Sequence, residues 1–352
     1  MIINDEEIEK IFSQMICVID NLQNRVAQLE KENEALIKSN SSLIDWIQMQ
    51  EDDITRLQRN VKYEILDPRN NNIEYEIPEI EDIENTLDLI VNEHKSLSRF
   101  GDGEFATIAG KIRHKFQSEV DNELGNRLRE VLQAKEKHLL VALADNYGTL
   151  GNYKEKMQRE IRAHLSEDER KFEIGLLNRE YKYHNAYISR PYAMYKDQNT
   201  EAPARRFEAL QKIWDKRECV YVEGRLTRLG VGNDLFSNAA SIVRIIGPEE
   251  NAYRKYSEIL NACRSMSKDK LFLLALGPTA TVLAYDLCRE GYQAVDIGHL
   301  DLEYEWFLQG NGGRTPVAYK YNNECKNGEQ VDEISDEWYE KQIVETIIGE
   351  HI

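Results

Sequence analysis

The chain has 352 residues, of which 41% are apolar and 31% are charged, and its formal net charge is −18 at pH 7. This composition is that of a globular protein, and the length allows one large α/β domain with an addition or two smaller domains. The acidic charge argues against nucleic-acid and anionic-membrane partners, because both attract clustered Lys and Arg. No long apolar run and no basic secretory leader is present, so we expect a cytoplasmic protein without a membrane span.

A seven-residue repeat of apolar side chains runs through residues 1–61. Its d positions are Ile8, Met15, Leu22, Leu29, Leu36, Leu43, Gln50 and Leu57, and its a positions are Phe12, Ile19, Val26, Asn33, Asn40, Ile47, Ile54 and Val61. One helix of this length would extend about 90 Å, which is too far for a single globular core. The repeat therefore predicts a coiled coil with another copy of the chain.

Two asparagines bear on the number of strands in this coiled coil. Asn33 and Asn40 occupy successive a positions, where Asn favours two parallel strands, so a parallel homodimer is the leading prediction. Ile37 and Ile44 at e positions widen the apolar stripe, and they leave a third strand or a flanking helix as an alternative.

The rest of the chain alternates between predicted strands and helices. Residues 62–79 contain prolines and a run of asparagines, which predicts a linker with a short strand. Predicted helices follow at 80–95, 103–112, 119–134, 152–178, 203–216, 251–264, 279–290 and 335–348. Predicted strands lie at 96–100, 138–144, 186–189, 219–223, 242–246, 271–276 and 293–297. This alternation predicts an α/β fold with a mostly parallel sheet covered on both faces.

Two carboxylates stand where the first predicted strand meets a helix. Asp102 and Glu104 are separated only by Gly103 and are preceded by Gly101. They could present hard oxygen ligands to Mg²⁺ or Mn²⁺, and the glycines would allow close approach of the backbone to a ligand. The carboxyl edge of a strand is where open α/β sheets bind ligands. A solvated turn is the alternative interpretation.

Two further strand ends carry residues suited to an anion. Gly277 follows a buried strand, and Pro278 and Thr279 suit the first turn of a helix, whose N-terminus can hold a phosphate. The glycine-rich segment 222–234 carries Arg225 and Arg228 after another strand. A normally capped helix start and a plain loop remain the alternatives.

A dense group of ionisable side chains follows the last predicted strand. Asp296, His299, Asp301, Glu303 and Glu305 fall within ten residues. This density indicates acid–base chemistry or support of a metal, and a salt-bridged surface turn is the alternative.

In this order the segments resemble the GT-D-fold glycosyltransferases of bacteria. The resemblance is carried by SLSRFGDGEF (96–105), by SRPYAMYKD (189–197) and by the segments 222–260 and 274–308. It covers about residues 80–320 and leaves the coiled coil outside. The resulting organisation is a coiled-coil helix at 1–61, a linker at 62–79, a transferase domain at 80–320 and an acidic C-terminal tail or helix at 321–352.

The resemblance implies a Rossmann-like GT-D domain that transfers a hexose from a UDP-sugar, UDP-glucose or UDP-galactose, to a glycan or glycoprotein acceptor. It implies a divalent cation, Mn²⁺ or Mg²⁺, at Asp102 and Glu104. It also places Arg99, Gly101 and residues 277–279 near the nucleotide, and we add Gly103 and Arg228 as nucleotide-binding candidates from their loops. The acceptor and the stereochemical outcome are left open.

An inverting transfer needs a base for the acceptor hydroxyl, and four residues are candidates. Asp234 ranks below the others because its charge would oppose a nearby phosphate. His299 could serve only to orient a neighbour. Asp301 and Glu303 would share a face in an extended segment, but would lie about 200° apart on a helix, where only one could face the cleft. Asp301 is preferred.

Two other functions are compatible with the same residues. A coiled coil joined to an inactive nucleotide-binding domain would be a scaffold, although both Asp102 and Glu104 are retained. A metal-dependent phosphohydrolase could use these carboxylates, and it would release phosphate from simple esters without an acceptor.

Overall fold

The computed structural model describes residues 5–66, 77–113, 115–165 and 167–348. The chain divides into two compact units between Tyr63 and Glu64. Most of the first unit is one helix, α1 (Asp5–Leu66). Within the described residues, no helix combines the length and the apolarity needed to cross a bilayer.

Helix α1 confirms the long N-terminal helix, and it continues five residues into the predicted linker. The apolar side chains at a and d positions from Met15 to Val61 are 49–61% exposed. Ile8 and Phe12 belong to the predicted repeat, but their side chains lie outside the described part of the chain, as do residues 67–76 of the predicted linker. No proline or glycine interrupts α1, which agrees with its length.

The second unit is built on one sheet of eight strands, all paired in parallel. The strands are β1 (Ser96–Phe100), β2 (Leu139–Leu143), β3 (His184–Asn185), β4 (Glu218–Gly224), β5 (Ser241–Gly247), β6 (Leu271–Ala275), β7 (Gln293–Asp296) and β8 (Ile343–Thr346). Their order across the sheet is β3-β2-β1-β7-β6-β4-β5-β8. The α/β fold with a parallel sheet is therefore confirmed.

Helices connect the strands and cover the sheet. They are α2 (Ile83–Asn92), α3 (Asp102–Ile108), α4 (Asn122–Leu132), α5 (Glu155–His164), α6 (Glu167–Leu176), α7 (Ala202–Gln211), α8 (Tyr256–Arg264), α9 (Pro278–Arg289), α10 (Leu300–Gln309) and α11 (Glu337–Gln342). Strands β2 and β6 are buried throughout, as expected of parallel strands covered on both faces. Alternate residues of β2 enter different core clusters, with Leu140 in one and Val141 in the other.

The strand order creates a switch point beside β1. From β1 the chain moves outward to β2 and β3 on one side, whereas β7 and the later neighbours occupy the other side. Connections that leave in opposite directions open a crevice at the carboxyl ends of the central strands. This crevice is where the predicted site residues that follow β1 and β7 should meet.

Three predicted elements differ from the structure. The predicted helix 152–178 is two helices, α5 and α6. The predicted strand 186–189 is a 3₁₀ turn, Ala186–Ser189, because the Asn185 side chain accepts a hydrogen bond from the Tyr187 N–H and starts a turn there. The predicted helix 335–348 is only α11 followed by β8, which pairs with the open edge of β5.

Candidate active site

A cavity of about 420 Å³ lies at the carboxyl ends of the central strands. The residues that line it include Gly101 after β1, Ala144 after β2, Gly277 after β6 and Gly298 after β7. Its size suits a small-molecule ligand. Segments that are far apart in the chain thus meet at the switch point of the sheet.

The two carboxylates of the predicted metal site line this cavity at the start of α3. The Gly101 N–H donates to Glu104 Oε2 at 2.8 Å, and Arg113 Nε donates to Asp102 Oδ2 at 3.0 Å. Burial raises the pKa of Glu104, although the Gly101 N–H opposes this shift. The first turn of a helix also favours negative charge. Asp102 and Glu104 are therefore both held at the cavity by the same short helix.

Arg99 and Asp296 form the floor of the cavity between β1 and β7. Arg99 Nη2 lies 2.6 Å from Asp296 Oδ1, Nε donates to the Asp296 carbonyl at 2.8 Å, and Nη1 donates to Ser189 Oγ at 2.7 Å. Burial raises the pKa of Asp296, whereas Arg99 lowers it. Gly298 has a φ of 45°, and a Cβ there would lie 2.0 Å from Arg99 Nη2. Only glycine fits this close approach.

A second group of charges meets at the carboxylate of Glu324. Arg190 forms a short ion pair with it, Arg314 Nε lies 3.3 Å from Oε2, and His299 Nε2 lies 3.6 Å from Oε1. Burial alone would raise the pKa of Glu324, but these cations outweigh it and lower the pKa to about 2. All four residues line the cavity.

The segment after β7 is helical, so Asp301 and Glu303 lie in the first turn of α10. Both are buried and both line the cavity, which corrects the expectation that only one could face it. Both side chains are buried because this turn of α10 contacts the loop at Gly230 through Asp301 and contacts residues 192–193 through Glu303. Asp301 accepts from Gly230 N and pairs with Lys320 at 2.6 Å, whereas Glu303 accepts from Tyr192 N and Ala193 N.

Three predicted site residues are not among those that line the cavity. Arg228 has a φ of 50° and donates through Nη1 to the carbonyls of Tyr319 and Asp332, so its guanidinium is committed to the backbone rather than to a nucleotide. Asp234 is exposed and lines a different groove. Thr279 is buried within the first turn of α9, whereas its neighbours Gly277 and Pro278 line the cavity.

Several lining residues were not predicted. Phe116 and Tyr321 pack edge to face with ring centroids 5.0 Å apart, and Phe116 lies 5.9 Å from the His299 ring. Arg190 lies within the quoted stretch 189–197, so a local signal for it existed. Glu324 lies in the segment predicted as an acidic C-terminal tail or helix, and nothing in its local pattern indicated that its carboxylate would line a cavity.

A family model described as glycosyltransferase GT-D fold matches residues 97–325. The chain belongs to this family of glycosyltransferases. The match begins in β1 and ends beside Glu324, so it contains the whole of the crevice, and α1 lies outside it.

Curated relatives of this GT-D-family chain carry glycosyltransferase names. The probable glycosyl transferase Gly of Streptococcus gordonii is 39% identical over 270 residues, which are 76% of this chain and 39% of that protein. Glycosyltransferase GlyD of Streptococcus pneumoniae is 35% identical over 276 residues, which are 78% of this chain and 33% of that protein. The chain thus spans well under half the length of these relatives.

Solved structures match the same part of the chain. One, described as a new glycosyltransferase from Streptococcus sanguinis, is 35% identical with a TM-score of 0.71 and covers 77% of this chain and 100% of its own. Another, a domain of unknown function 1792 described as having a distinct glycosyltransferase fold, is 34% identical with a TM-score of 0.72 and covers 77% of this chain and 96% of its own.

Proposed function

We propose that the chain is a metal-dependent glycosyltransferase that transfers a hexose from a UDP-sugar to a glycan or glycoprotein acceptor. The observation that carries this proposal is that Asp102 and Glu104 line one cavity with the start of α9, at the switch point of a GT-D-family sheet. The uracil and the hexose rest on the family resemblance alone. Cytoplasmic localisation remains a prediction.

The excess of negative charge in the cavity supports the proposal that a divalent cation binds there. Seven of the lining side chains are carboxylates and four are guanidinium groups: Asp102, Glu104, Glu160, Asp296, Asp301, Glu303 and Glu324 against Arg99, Arg113, Arg190 and Arg314. A diphosphate would be repelled by this excess unless a divalent cation entered with it. When bound, Mn²⁺ or Mg²⁺ would neutralise the charge that develops on the leaving diphosphate.

The ligand set fits a cation that arrives with the donor. No group of three or more His, Cys, Asp and Glu side chains in the described residues could hold a metal by itself. Asp102 and Glu104 would supply two oxygens, and phosphate oxygens and water would complete the shell, as is usual for Mg²⁺ at nucleotides. We therefore assign the metal to these two residues, and we expect it to bind weakly without a nucleotide.

The start of α9 and the aromatic pair beside it have the properties of a nucleotide-binding site. Gly277 and Pro278 open a helix of 12 residues at the cavity, and the N–H groups of such a first turn bind anions. A Cβ on Gly277 would lie 3.0 Å from Phe116 Cβ, so Phe116 is packed closely against this turn. We propose that the diphosphate lies at the α9 N-terminus and that the base lies against Phe116 and Tyr321.

The contacts that the Asp301 and Glu303 side chains make with other segments favour Glu303 as the base of an inverting transfer. Asp301 Oδ1 accepts from Gly230 N and Asn233 Nδ2, and Oδ2 pairs with Lys320, so both oxygens are committed. Glu303 Oε2 accepts two backbone N–H groups, whereas Oε1 makes no hydrogen bond to the described part of the chain and lies 3.7 Å from Arg190.

Burial also raises the pKa of Glu303, which makes its carboxylate a better proton acceptor. In the proposed step the acceptor hydroxyl gives its proton to Glu303 Oε1, its oxygen bonds to the anomeric carbon, and the bond from that carbon to the diphosphate breaks. Asp301 would hold the loop 230–233 in place. Glu303→Gln should therefore lose transfer but bind donor, whereas Asp301→Asn should weaken both by disturbing the loop.

The exposed heptad stripe of α1 supports a homodimer. Apolar a and d side chains that are about half exposed need a partner. Arg25 falls at a g position and Glu30 at the following e position, so a parallel copy in register would place opposite charges side by side. We propose that a second copy of the chain covers this stripe.

The assignment is tested by incubating the pure protein with a panel of nucleotide sugars and Mn²⁺ and measuring release of the nucleoside diphosphate. UDP released from a UDP-hexose, and more rapidly with a glycan acceptor, is the expected result. Phosphate released from simple esters, with no response to nucleotide sugars, would instead indicate a phosphohydrolase.

A further inference from the structure

A second groove, which we call the α11 groove, lies where the loop 230–234 meets α11. Its lining residues are Gly230, Val231, Gly232, Asn233, Asp234, Leu308, Asp336 and Trp338, and its volume is about 510 Å³. The Trp338 side chain is 58% exposed and Leu308 is 53% exposed. Trp338 and Asp336 lie beyond the residues that the GT-D family model matches, so the α11 side of this groove lies outside the part of the chain that defines the family.

Two carboxylates in the α11 groove are each held by one oxygen. Asp234 Oδ1 accepts from the Tyr304 hydroxyl at 2.7 Å. Asp336 Oδ1 accepts from the N–H groups of Trp338 and Tyr339 at 2.9 and 3.1 Å. The second oxygen of each makes no hydrogen bond to the described part of the chain. The groove therefore presents oriented hydrogen-bond acceptors beside an exposed indole.

This chemistry suits an uncharged sugar. The apolar C–H face of a pyranose can pack on an indole ring, and its hydroxyl groups can donate to carboxylate oxygens. The described lining residues include two acids and no Lys or Arg, so an anionic glycan or a phosphate would be repelled. A purely apolar partner would bury the two carboxylates without hydrogen bonds, which is costly.

The α11 groove is joined to the active-site cavity by one loop. Thr227 and Leu229 line the cavity, and the next residues, Gly230 to Asp234, line the groove. Gly230 N and Asn233 Nδ2 both donate to Asp301, which itself lines the cavity. An oligosaccharide with its reacting end in the cavity could therefore extend along this loop.

We propose that the α11 groove binds the non-reacting units of an uncharged oligosaccharide acceptor, with Trp338 as the stacking surface. This inference rests on the proposed function. It names the chemical class of the acceptor, which the family resemblance leaves open.

Tryptophan fluorescence tests the proposal directly. Of the four tryptophans, Trp214 and Trp306 are fully buried, and Trp46 lies on α1. In the Trp46→Phe protein, Trp338 is thus the exposed indole. Neutral hexose and N-acetylhexosamine oligomers at millimolar concentration should shift or quench its emission. No response to any of these oligomers would overturn the proposal, as would an emission change that depends only on protein concentration, which would show a second copy in the groove.

Calorimetry with matched variants identifies the residues. Trp338→Ala should weaken binding of the responding oligomer about tenfold, and Asp234→Asn with Asp336→Asn should weaken it about fivefold. Asn retains the N-cap of α11. Tyr319→Ala, at another exposed aromatic outside both pockets, should bind normally. Equal binding by the Trp338 and Tyr319 variants would contradict the proposal. Nucleotide release by the same preparations tests the transferase separately, because the binding measurement needs no turnover.

Discussion

Arg99 and Asp296 join two neighbouring strands of the sheet, with Nη2 and Oδ1 2.6 Å apart. Arg99 belongs to β1 and Asp296 ends β7, so the pair spans the switch point of the fold. Asp296 is 3% exposed and depends on Arg99 for its counter-charge. The pair therefore holds β1 and β7 together and also lines the proposed donor site.

Gly298→Ala should act mainly by displacing Arg99 from Asp296, and not by changing the contacts that Gly298 makes itself. The new Cβ would meet the guanidinium of Arg99, and the φ of 45° would add strain. Moving Arg99 leaves Asp296 buried without a counter-charge, so we expect a loss of about 2–4 kcal/mol in the free energy of unfolding and weaker donor binding. Urea denaturation measures the loss. Gly151→Ala, where a Cβ meets nothing within 4 Å, is the control, and equal losses in the two variants would show that displacement of Arg99 is not the cause.

His184 should make the protein sensitive to moderate acid. Burial in β3 lowers its pKa from 6.5 to about 4. The unfolded chain takes up this proton near pH 6.5 and the folded chain only near pH 4, so stability is present above pH 6.5 and is lost as the pH falls. Between pH 7 and pH 4.5 the difference in pKa of His184 should therefore lower the free energy of unfolding by about 2 kcal/mol.

Urea denaturation at these two pH values tests His184. His184→Gln should reduce the difference in stability between pH 7 and pH 4.5, whereas His138→Gln, at an exposed histidine, should leave it unchanged. An unaltered difference in the His184 variant would place the acid sensitivity elsewhere.

Leu29→Lys with Leu36→Lys should separate the proposed dimer. Both leucines are exposed d residues of α1, and two charges at these positions cannot be buried in a coiled-coil seam. Light scattering should give the mass of one chain, 41.0 kDa, in place of two. The control changes Lys31 and Lys38, at f positions, to Glu and should remain dimeric. A wild-type protein that is already monomeric would refute the interface.

The parts of the site that were predictable are those encoded locally. Asp102, Gly277 and His299 each follow an apolar strand, and residues at the carboxyl ends of neighbouring parallel strands must meet at one edge. The heptad repeat likewise predicted α1, because apolar side chains spaced by three and four over eight heptads fall on one face only if the backbone is helical. In both cases the pattern and the structure it specifies involve the same short stretch of chain.

The remaining features depend on partners distant in the sequence. Glu324 is only 14% exposed because Arg190 and Arg314 pair with it from other segments, and no local sequence pattern indicates these partners. Arg228 was predicted at the nucleotide, but its left-handed backbone turns the side chain to the carbonyl of Asp332. Strand β8 was predicted as helix, because an apolar stretch of this length fits either structure until the open edge of β5 decides between them.

We propose that Asp102 and Glu104 hold a divalent cation together with a nucleoside diphosphate, and variants of both residues should fold. Asp102→Asn weakens an ion pair with Arg113 in which both side chains are well exposed, and such a pair contributes below about 1 kcal/mol, so the fold should be nearly unchanged. Glu104→Gln keeps an oxygen that can accept from the Gly101 N–H.

Calorimetric titration of UDP, with Mn²⁺ and with a chelator, measures whether UDP binding requires a cation at Asp102 and Glu104. We expect UDP to bind the wild-type protein only with Mn²⁺, and Asp102→Asn and Glu104→Gln each to lose this binding while melting at nearly the wild-type temperature. UDP binding of equal strength in the chelator, or in the folded Asp102→Asn protein, would contradict the proposed cation site.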